Sequence, residues 1–292
     1  MDTDALKAFI AIAELGSFSR AAETLYLTQP AVSKRIASLE DKLDHTLFDR
    51  AGRSITLTEA GRALLPRAKA ILAATDEAVQ AINDLSGQVK GELKLTTSHH
   101  LGLHYLPKYL RHYGDRYPEV KLALNFKDSE IALQQVLDGE VELAALTLAT
   151  QADERLVEAM VWDDPMAFVA AADHPLSSMA SPGIKDLAQY PAIVPEANTF
   201  TTQLLSDAFT AAGLTLETRM ATNYLETIKT LVSIGLGWGV LPITMVDGGF
   251  TTLPVLDKPL VRRLGIIHHR DRSLSNASQA FLDLLLASRR AN

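Results

Sequence analysis

Several polar stretches combine residue types and spacings that could do chemistry. In Thr28-Gln-Pro-Ala-Val-Ser-Lys34, a helix begun at Thr28 carries Pro30, Ser33 and Lys34 on one side, with Gln29 beside them. Glutamine pairs bidentately with adenine, and lysine reaches guanine or a phosphate, so such a face laid in a major groove would read DNA. Ser19 and Thr28, each placed to cap a helix, would also offer helix N-termini to phosphate. A second set lies further on. Thr97-Ser98-His99-His100 follows a strand pattern and starts a helix, Thr147 ends a strand, and Asn198-Thr199-Phe-Thr-Thr202 and Thr222-Asn223 precede helices. Free N–H groups collect where strands end and helices begin, which suits a small carboxylate or another anion. Ser98, His99, Thr147, Thr199, Thr202 and Asn223 are therefore the candidate ligand contacts; the plainer alternative for each is a helix cap and nothing more.

Two patterns tempt a cofactor. His100 and His104 lie one helical turn apart beside His99, but zinc needs a third and usually a fourth ligand, and no carboxylate stands nearby in the sequence. No metal is expected. Partial protonation suits His99 beside an anionic ligand, and a structural role suits His104. Gly235-Leu-Gly-Trp-Gly has the look of a dinucleotide fingerprint, yet it closes a helix and opens a strand, the reverse of the order that fingerprint needs. A helix C-cap and a close backbone approach explain it better, and no cofactor is expected. With no Gly-x-Ser-x-Gly, phosphate loop or paired metal motif, no catalytic residue is expected either, and an enzyme built on the later half is the unsupported alternative.

The elements that must position these residues follow from periodicity. Leu6, Phe9, Ile10 and Ala13 give a first helix ending at Gly16, and Ser19–Leu25 reads as a second, short helix capped by Ser19. After the tight link Tyr26-Leu27, Val32, Ile36, Leu39 and Leu43 form the buried stripe of the Thr28 helix, and two helices so joined fit a helix-turn-helix. Ile55 and Leu57 alternate around the Ala51-Gly52 turn as a hairpin wing with Arg53 at its tip, a position from which a cation reaches phosphates or a minor groove. For Arg35 and Arg50, pairing with nearby acids competes evenly with DNA contact. Thr58 opens a long helix to about Leu85, stopped by Gly87 and bent by Pro66. Leu64, Ala68, Ile71, Thr75, Ala78, Ile82 and Leu85 alternate spacings of four and three, a heptad seam that would dimerise the chain; packing on its own domain is the lesser alternative.

From Gly91 strands alternate with helices, implying a mainly parallel sheet. Strands are expected over Glu92–Thr97, Val120–Phe126, Val141–Thr147, Phe168–Ala171, Ala192–Val194, Glu217–Ala221 and Trp238–Leu241, with an extended segment over Arg263–His268. Helices are expected over Leu101–Tyr117, Ile131–Leu137, Thr202–Ala212, Leu225–Ile234 and Ala277–Ser288. Length allows two or three domains. The absence of cysteine removes disulfides and thiolate chemistry and suits a reducing cytoplasm. No apolar run is long enough to span a membrane, and the N-terminus is acidic and soon helical, unlike a signal peptide, which argues against a solute-binding protein. The net charge of −7 argues against bulk attraction to DNA, and residues 1–65, with eight Lys/Arg against nine Asp/Glu, contribute only about −1 of it. Specific contacts from more than one copy must then supply the affinity.

Residues 1–87 resemble the LysR-type transcriptional regulators through Leu6-x-x-Phe9, Gly16-Ser-Phe-Ser-Arg-Ala-Ala, Thr28-Gln-Pro-Ala-Val-Ser, Leu39-Glu, Leu47-Phe-Asp-Arg and Leu57-Thr-x-Ala60-Gly. The later half is similar more loosely, mostly through Gly235-Leu-Gly-Trp-Gly-Val-Leu-Pro242. The resemblance implies a winged helix-turn-helix over 1–58, a dimerising helix over 59–88, and an effector domain over 91–292. That domain would comprise two Rossmann-like α/β subdomains, as in a periplasmic binding protein: 91–163 with 268–292, and 164–267. Crossovers are expected near Trp162–Met166 and Arg263–His268. The resemblance also implies a tetrameric regulator of promoter DNA, with Gln29, Pro30, Ser33 and Lys34 as groove-reading positions, Arg53 as the wing contact, and a small-molecule effector bound between the subdomains.

Overall fold

The computed structural model describes residues 2–49, 55–256 and 259–289. The chain forms two units, Met1–Gly87 with Asp138–Glu140, and Gln88–Leu137 with Val141–Asn292.

In the first unit Asp2 caps α1 (Thr3–Leu15), which Gly16 closes in the left-handed region. The second helix starts two residues earlier than its sequence implied. Ser17, not Ser19, caps α2 (Phe18–Thr24) by accepting the Arg20 N–H, and Ser19 is an exposed residue of the first turn. Phe18 decides this, because starting there buries its ring beside Phe48. Thr28 caps α3 (Gln29–Leu43) as expected, with the Ala31 N–H donating to its hydroxyl at 3.4 Å. Leu6, Phe9, Ile12, Val32, Ile36 and Leu39 are fully buried together, locking α3 to α1. Strands β1 (Phe48–Asp49) and β2 (Thr56–Leu57) pair antiparallel as the base of the hairpin, while Arg50, Arg53 and the expected wing tip lie outside the described residues.

Helix α4 (Glu59–Asp84) is capped by Thr58, whose hydroxyl accepts the Gly61 N–H at 3.0 Å and donates to the Thr46 carbonyl at 2.7 Å. Gly61 is needed there, since a Cβ would lie 2.3 Å from the Leu47 carbonyl oxygen. The stripe of α4 divides in two. Ala68 is buried, and Leu64, Leu65 and Leu72 pack on the helix-turn-helix core, whereas Val79, Ile82 and Leu85 are 59, 69 and 84% exposed. Own-domain packing thus accounts for the first turns, and only the later ones present an uncovered apolar face.

The second unit carries a nine-stranded sheet. On one side β3 (Gly91–Thr97) lies parallel to β4 (Val120–Phe126) and to β5 (Leu143–Thr147). Helices α5 (His99–His104) and α6 (Pro107–Arg116) replace the single helix expected over Leu101–Tyr117. Pro107 has no N–H to give the preceding turn and its ring crowds that turn, so it starts a new helix instead. After β4 comes α7 (Ser129–Asp138). Strand β6 (Leu156–Ala170) is far longer than the expected Phe168–Ala171, its first part disguised by Glu158, Asp163, Asp164 and Pro165. The chain continues through α8 (Ile184–Leu187), β7 (Ala192–Val194), α9 (Phe200–Ala211), β8 (Thr218–Ala221), α10 (Leu225–Ser233), β9 (Trp238–Pro242), β10 (Thr251–Leu253), β11 (Leu260–His269) and α11 (Asn276–Arg289).

The strand order is β4-β3-β5-β11-β6-β9-β7-β8, with β10 also on β6. Each flank is parallel as expected, but the centre is antiparallel: β6 and β11 pair along their length, from Leu260 opposite Met166 to His269 opposite Leu156. The two segments expected as crossovers are therefore each other's partners. Gly265 sits at their register shift, where a Cβ would lie 2.5 Å from the Ala159 carbonyl oxygen. One flank is filled around Leu93, Leu95, Tyr113 and Phe281, the other around Phe168, Phe209 and Trp238, whose indole donates to the Tyr190 carbonyl at 2.9 Å.

Candidate functional site

The first candidate surface is the outer side of α3. Thr28, Gln29, Pro30 and Lys34 are exposed and Ser33 is half-buried, while Val32, Ile36 and Leu39 anchor the opposite side. The groups that could meet base edges are thus free, and the helix under them is held rigidly. Arg35 pairs with Asp4 at 2.9 Å, which favours its structural role. Tyr26, in the link before α3, is 96% exposed and held at φ 54°.

The second candidate is a cavity of about 270 Å³ in the sheet unit, opening where β3, β5 and β7 end and α5, α7 and α9 begin. Ser98, His99, Thr147, Thr199 and Asn223, five of the six ligand contacts expected from sequence, line it. Thr202 does not. Its hydroxyl donates to the Pro195 carbonyl at 2.8 Å and its N–H donates to the Thr199 hydroxyl, which makes it part of the α9 cap. Thr199 also donates to the Glu196 carbonyl, and Asn223 Oδ1 accepts the Glu196 N–H at 2.9 Å, so both combine loop bracing with a cavity position. Ser98 stands at the N-cap of α5 without making a cap bond, and its hydroxyl is buried with no partner among the described residues. Hydrogen bonds fix two of the strand ends: Ser98 N–H donates to the Ala145 carbonyl, and Thr147 N–H donates to the Ser129 side-chain hydroxyl.

Charged groups that the sequence reading did not select complete the cavity. Arg262 on β11 is buried at its base. Its Nε donates to Asp164 at 2.9 Å, its Nη2 also donates to Asp164, and its Nη1 donates to Thr201 at 3.3 Å. Asp164 is wholly buried and accepts the Tyr105 hydroxyl as well, at 2.8 Å. Burial and this bond hold the Tyr105 phenol well above its ordinary value. His100, 6% exposed, lies 3.8 Å from Asp164, too far for a hydrogen bond, and neither ring nitrogen has a partner among the described residues. Burial, reinforced by the Arg262 charge, pushes its pKa down to about 4, so it stands neutral with one donor and one acceptor to offer. Across the cavity, Asp128 accepts the Asn223 amide at 2.9 Å and Glu130 accepts the Phe200 N–H at 2.6 Å. His99 and His104 instead approach Glu226 on α10, at 3.8 and 3.3 Å. Among the described residues no group of three or more metal-ligating side chains is placed to hold an ion, and no helix is long and apolar enough to cross a membrane.

A helix-turn-helix with a free polar face, carried on the same chain as an α/β unit with a polar cavity, has the build of a ligand-responsive DNA-binding regulator. Comparison with known proteins agrees. The model of the bacterial regulatory helix-turn-helix protein, lysR family, matches residues 3–62, and that of the LysR substrate binding domain matches residues 86–290. The chain is 30% identical over 284 residues to the HTH-type transcriptional activator CmpR of Synechocystis, covering 96% of this chain and 93% of that one. It is 29% identical to the RuBisCO operon transcriptional regulator of Allochromatium vinosum, with 97% and 94% covered. Among solved structures, a full-length OxyR variant from Pseudomonas aeruginosa aligns with a TM-score of 0.68 at 24% identity (99% and 95% covered), and CbnR complexed with its target DNA aligns at 0.66 and 18% (99% and 100% covered). The chain belongs to the LysR family: it is a DNA-binding transcriptional regulator whose response is modulated by a small molecule held in its effector domain.

Proposed function

We propose that this regulator reads its operator with Gln29, Pro30, Ser33 and Lys34 of α3, steadied by phosphate contacts from Thr28, the α2 start at Ser19 and the wing residue Arg53. The exposed row on α3, backed by a fully buried stripe, is the observation that carries this reading. The near-neutral charge of residues 1–65 calls for two reading helices per operator, so the exposed later turns of α4 pair two copies, and two such dimers form the tetramer. Functionally the chain divides at 1–58, 59–88 and 91–292, the last split into 91–163 with 268–292 and 164–267. The protein acts in the cytoplasm, on promoter DNA, and is not an enzyme.

The cavity takes a small anionic metabolite. Support comes from the unpartnered Ser98 hydroxyl and His100 ring, the guanidinium of Arg262 at the base, and the start of α9 at the rim. Shikimate occupies the effector-binding domain of QuiR, which aligns with 70% of this chain at a TM-score of 0.63, and a hydroxylated acid of that size is the class of compound to try first.

Binding sites selected from random duplexes by the wild-type protein test the reading face. Gln29→Ala with Ser33→Ala should keep the thermal stability and weak non-specific binding but lose preference for the selected sequence, by about 1–3 kcal/mol per lost bidentate base contact. An unchanged preference in a gel-shift titration would remove α3 from the reading role.

A further inference from the structure

We propose that Glu130 occupies, in the unliganded protein, the position that the acid group of a ligand takes, so that it is a specificity-determining residue which the ligand must displace. This rests on the reading of the cavity as the effector site. Glu130 lies in the first turn of α7, on one side of the cavity, and its carboxylate reaches the other side to accept the Phe200 N–H at 2.6 Å. Phe200 opens α9, a twelve-residue helix, so the donor engaged is one of the unsatisfied groups at the positive end of a helix dipole. An anion belongs at such a place, and here the chain supplies its own.

A helix start alone would not make a site. The same cavity, however, contains His100, 94% buried, and the Ser98 hydroxyl, and among the described residues neither ring nitrogen nor the hydroxyl has a partner. A buried polar group without a partner costs about 1–3 kcal/mol, and among the described residues these groups have none. Their donor and acceptor capacity fits a hydroxyl-bearing molecule. Of the three acids at the cavity, Asp128 is bound to the Asn223 amide, and Asp164 and Glu130 differ in how firmly they are held. Asp164 is fully enclosed and binds Arg262 and Tyr105, so it cannot leave without exposing a buried charge. Glu130 is half-buried at the cavity wall, and burial raises the pKa of its carboxyl, so its ionised form is under-solvated where it stands. Rotating it into water leaves Phe200 N–H for an incoming carboxylate. The ligand class that follows is a small hydroxy acid, with its carboxylate on α9 and its hydroxyl at His100 and Ser98.

The exchange has a mechanical consequence. The Glu130–Phe200 bond, together with Asp128–Asn223, ties α7 to the loops at the far wall of the cavity. A ligand that takes over Phe200 replaces a tie between the walls by a contact of its own, and thereby changes how the walls are held.

Calorimetric titration of the full-length protein with sodium lactate, and with the uncharged analogue lactamide, tests the proposal. Removing the competitor in Glu130→Ala should tighten lactate binding about tenfold, the scale of a helix-end charge interaction, and leave lactamide unchanged. Glu130→Gln, which keeps the shape and loses the charge, should fall between the two proteins and guards against a folding defect in the alanine variant. Lactate affinity equal in wild type and Glu130→Ala, undetectable binding to both included, would overturn the proposal. The cavity's regulatory role is read separately from DNA footprints: tighter lactate binding without any footprint change would sink that reading while leaving Glu130 as the competitor.

Discussion

Asp164 is where the chemistry of the cavity is concentrated, since Arg262, Tyr105 and His100 all converge on it. Removing one partner of a buried ion pair strands the other, so Arg262→Ala should destabilise the sheet unit by about 3–5 kcal/mol, whereas replacing Arg262 by Met and Asp164 by Leu together should cost far less. Both tryptophans, Trp162 and Trp238, belong to this unit, so their fluorescence in a urea titration of the whole chain reports it alone. The same titration checks His100. Its folded pKa of about 4 lies below its unfolded value of about 6.5, so the stability it contributes is complete above pH 6.5 and is lost as the pH falls from there to 4. The expected slope is at most about 1.4 kcal/mol per pH unit, and His100→Asn should flatten it. Residues at helix starts were legible in the sequence: Thr28, Thr199 and Asn223 fall where local chemistry places them. Arg262 and Asp164 were not, because 98 positions separate them and each reads alone as an ordinary charged residue in a strand. Ser19 was misplaced by two residues because the gain from burying Phe18 outweighs a choice between two equivalent serine caps.

Among the elements, α4 carries the sharpest difference between pattern and packing. Its heptad spacing is real, yet the first turns spend their apolar groups on the helix-turn-helix core, chiefly α1, and the later turns leave Val79, Ile82 and Leu85 bare. Periodicity marks an apolar stripe but not what covers it, so the division of this one between buried and exposed turns was not legible. Ile71→Asp with Ile82→Asp should give monomers by light scattering with the helix-turn-helix still folded; a mass unchanged from wild type would exclude this face as the interface. Pro107 and the length of β6 were hidden for opposite reasons. A proline can start a helix as readily as it breaks one, and a strand paired on both sides tolerates polar residues that erase the alternation.

For the whole molecule, the division into a helix-turn-helix unit and a sheet unit followed from the change in period near Gly91 and from motifs dense in the first third. The antiparallel centre did not follow, because strand order depends on pairings between β6 and β11 that no local pattern encodes. Under the proposed function, a ligand in the cavity alters how α3 is presented to DNA. A screen of hydroxy acids by thermal shift, with each stabilising compound retested for its effect on the DNA footprint of wild type and of the double variant Ser98→Ala with His100→Leu, addresses it directly. At least one compound is expected to raise the melting temperature and shift the footprint of the wild type, and to do neither in the double variant. A footprint shift that survives both substitutions, or stabilising compounds that never move the footprint, would contradict it.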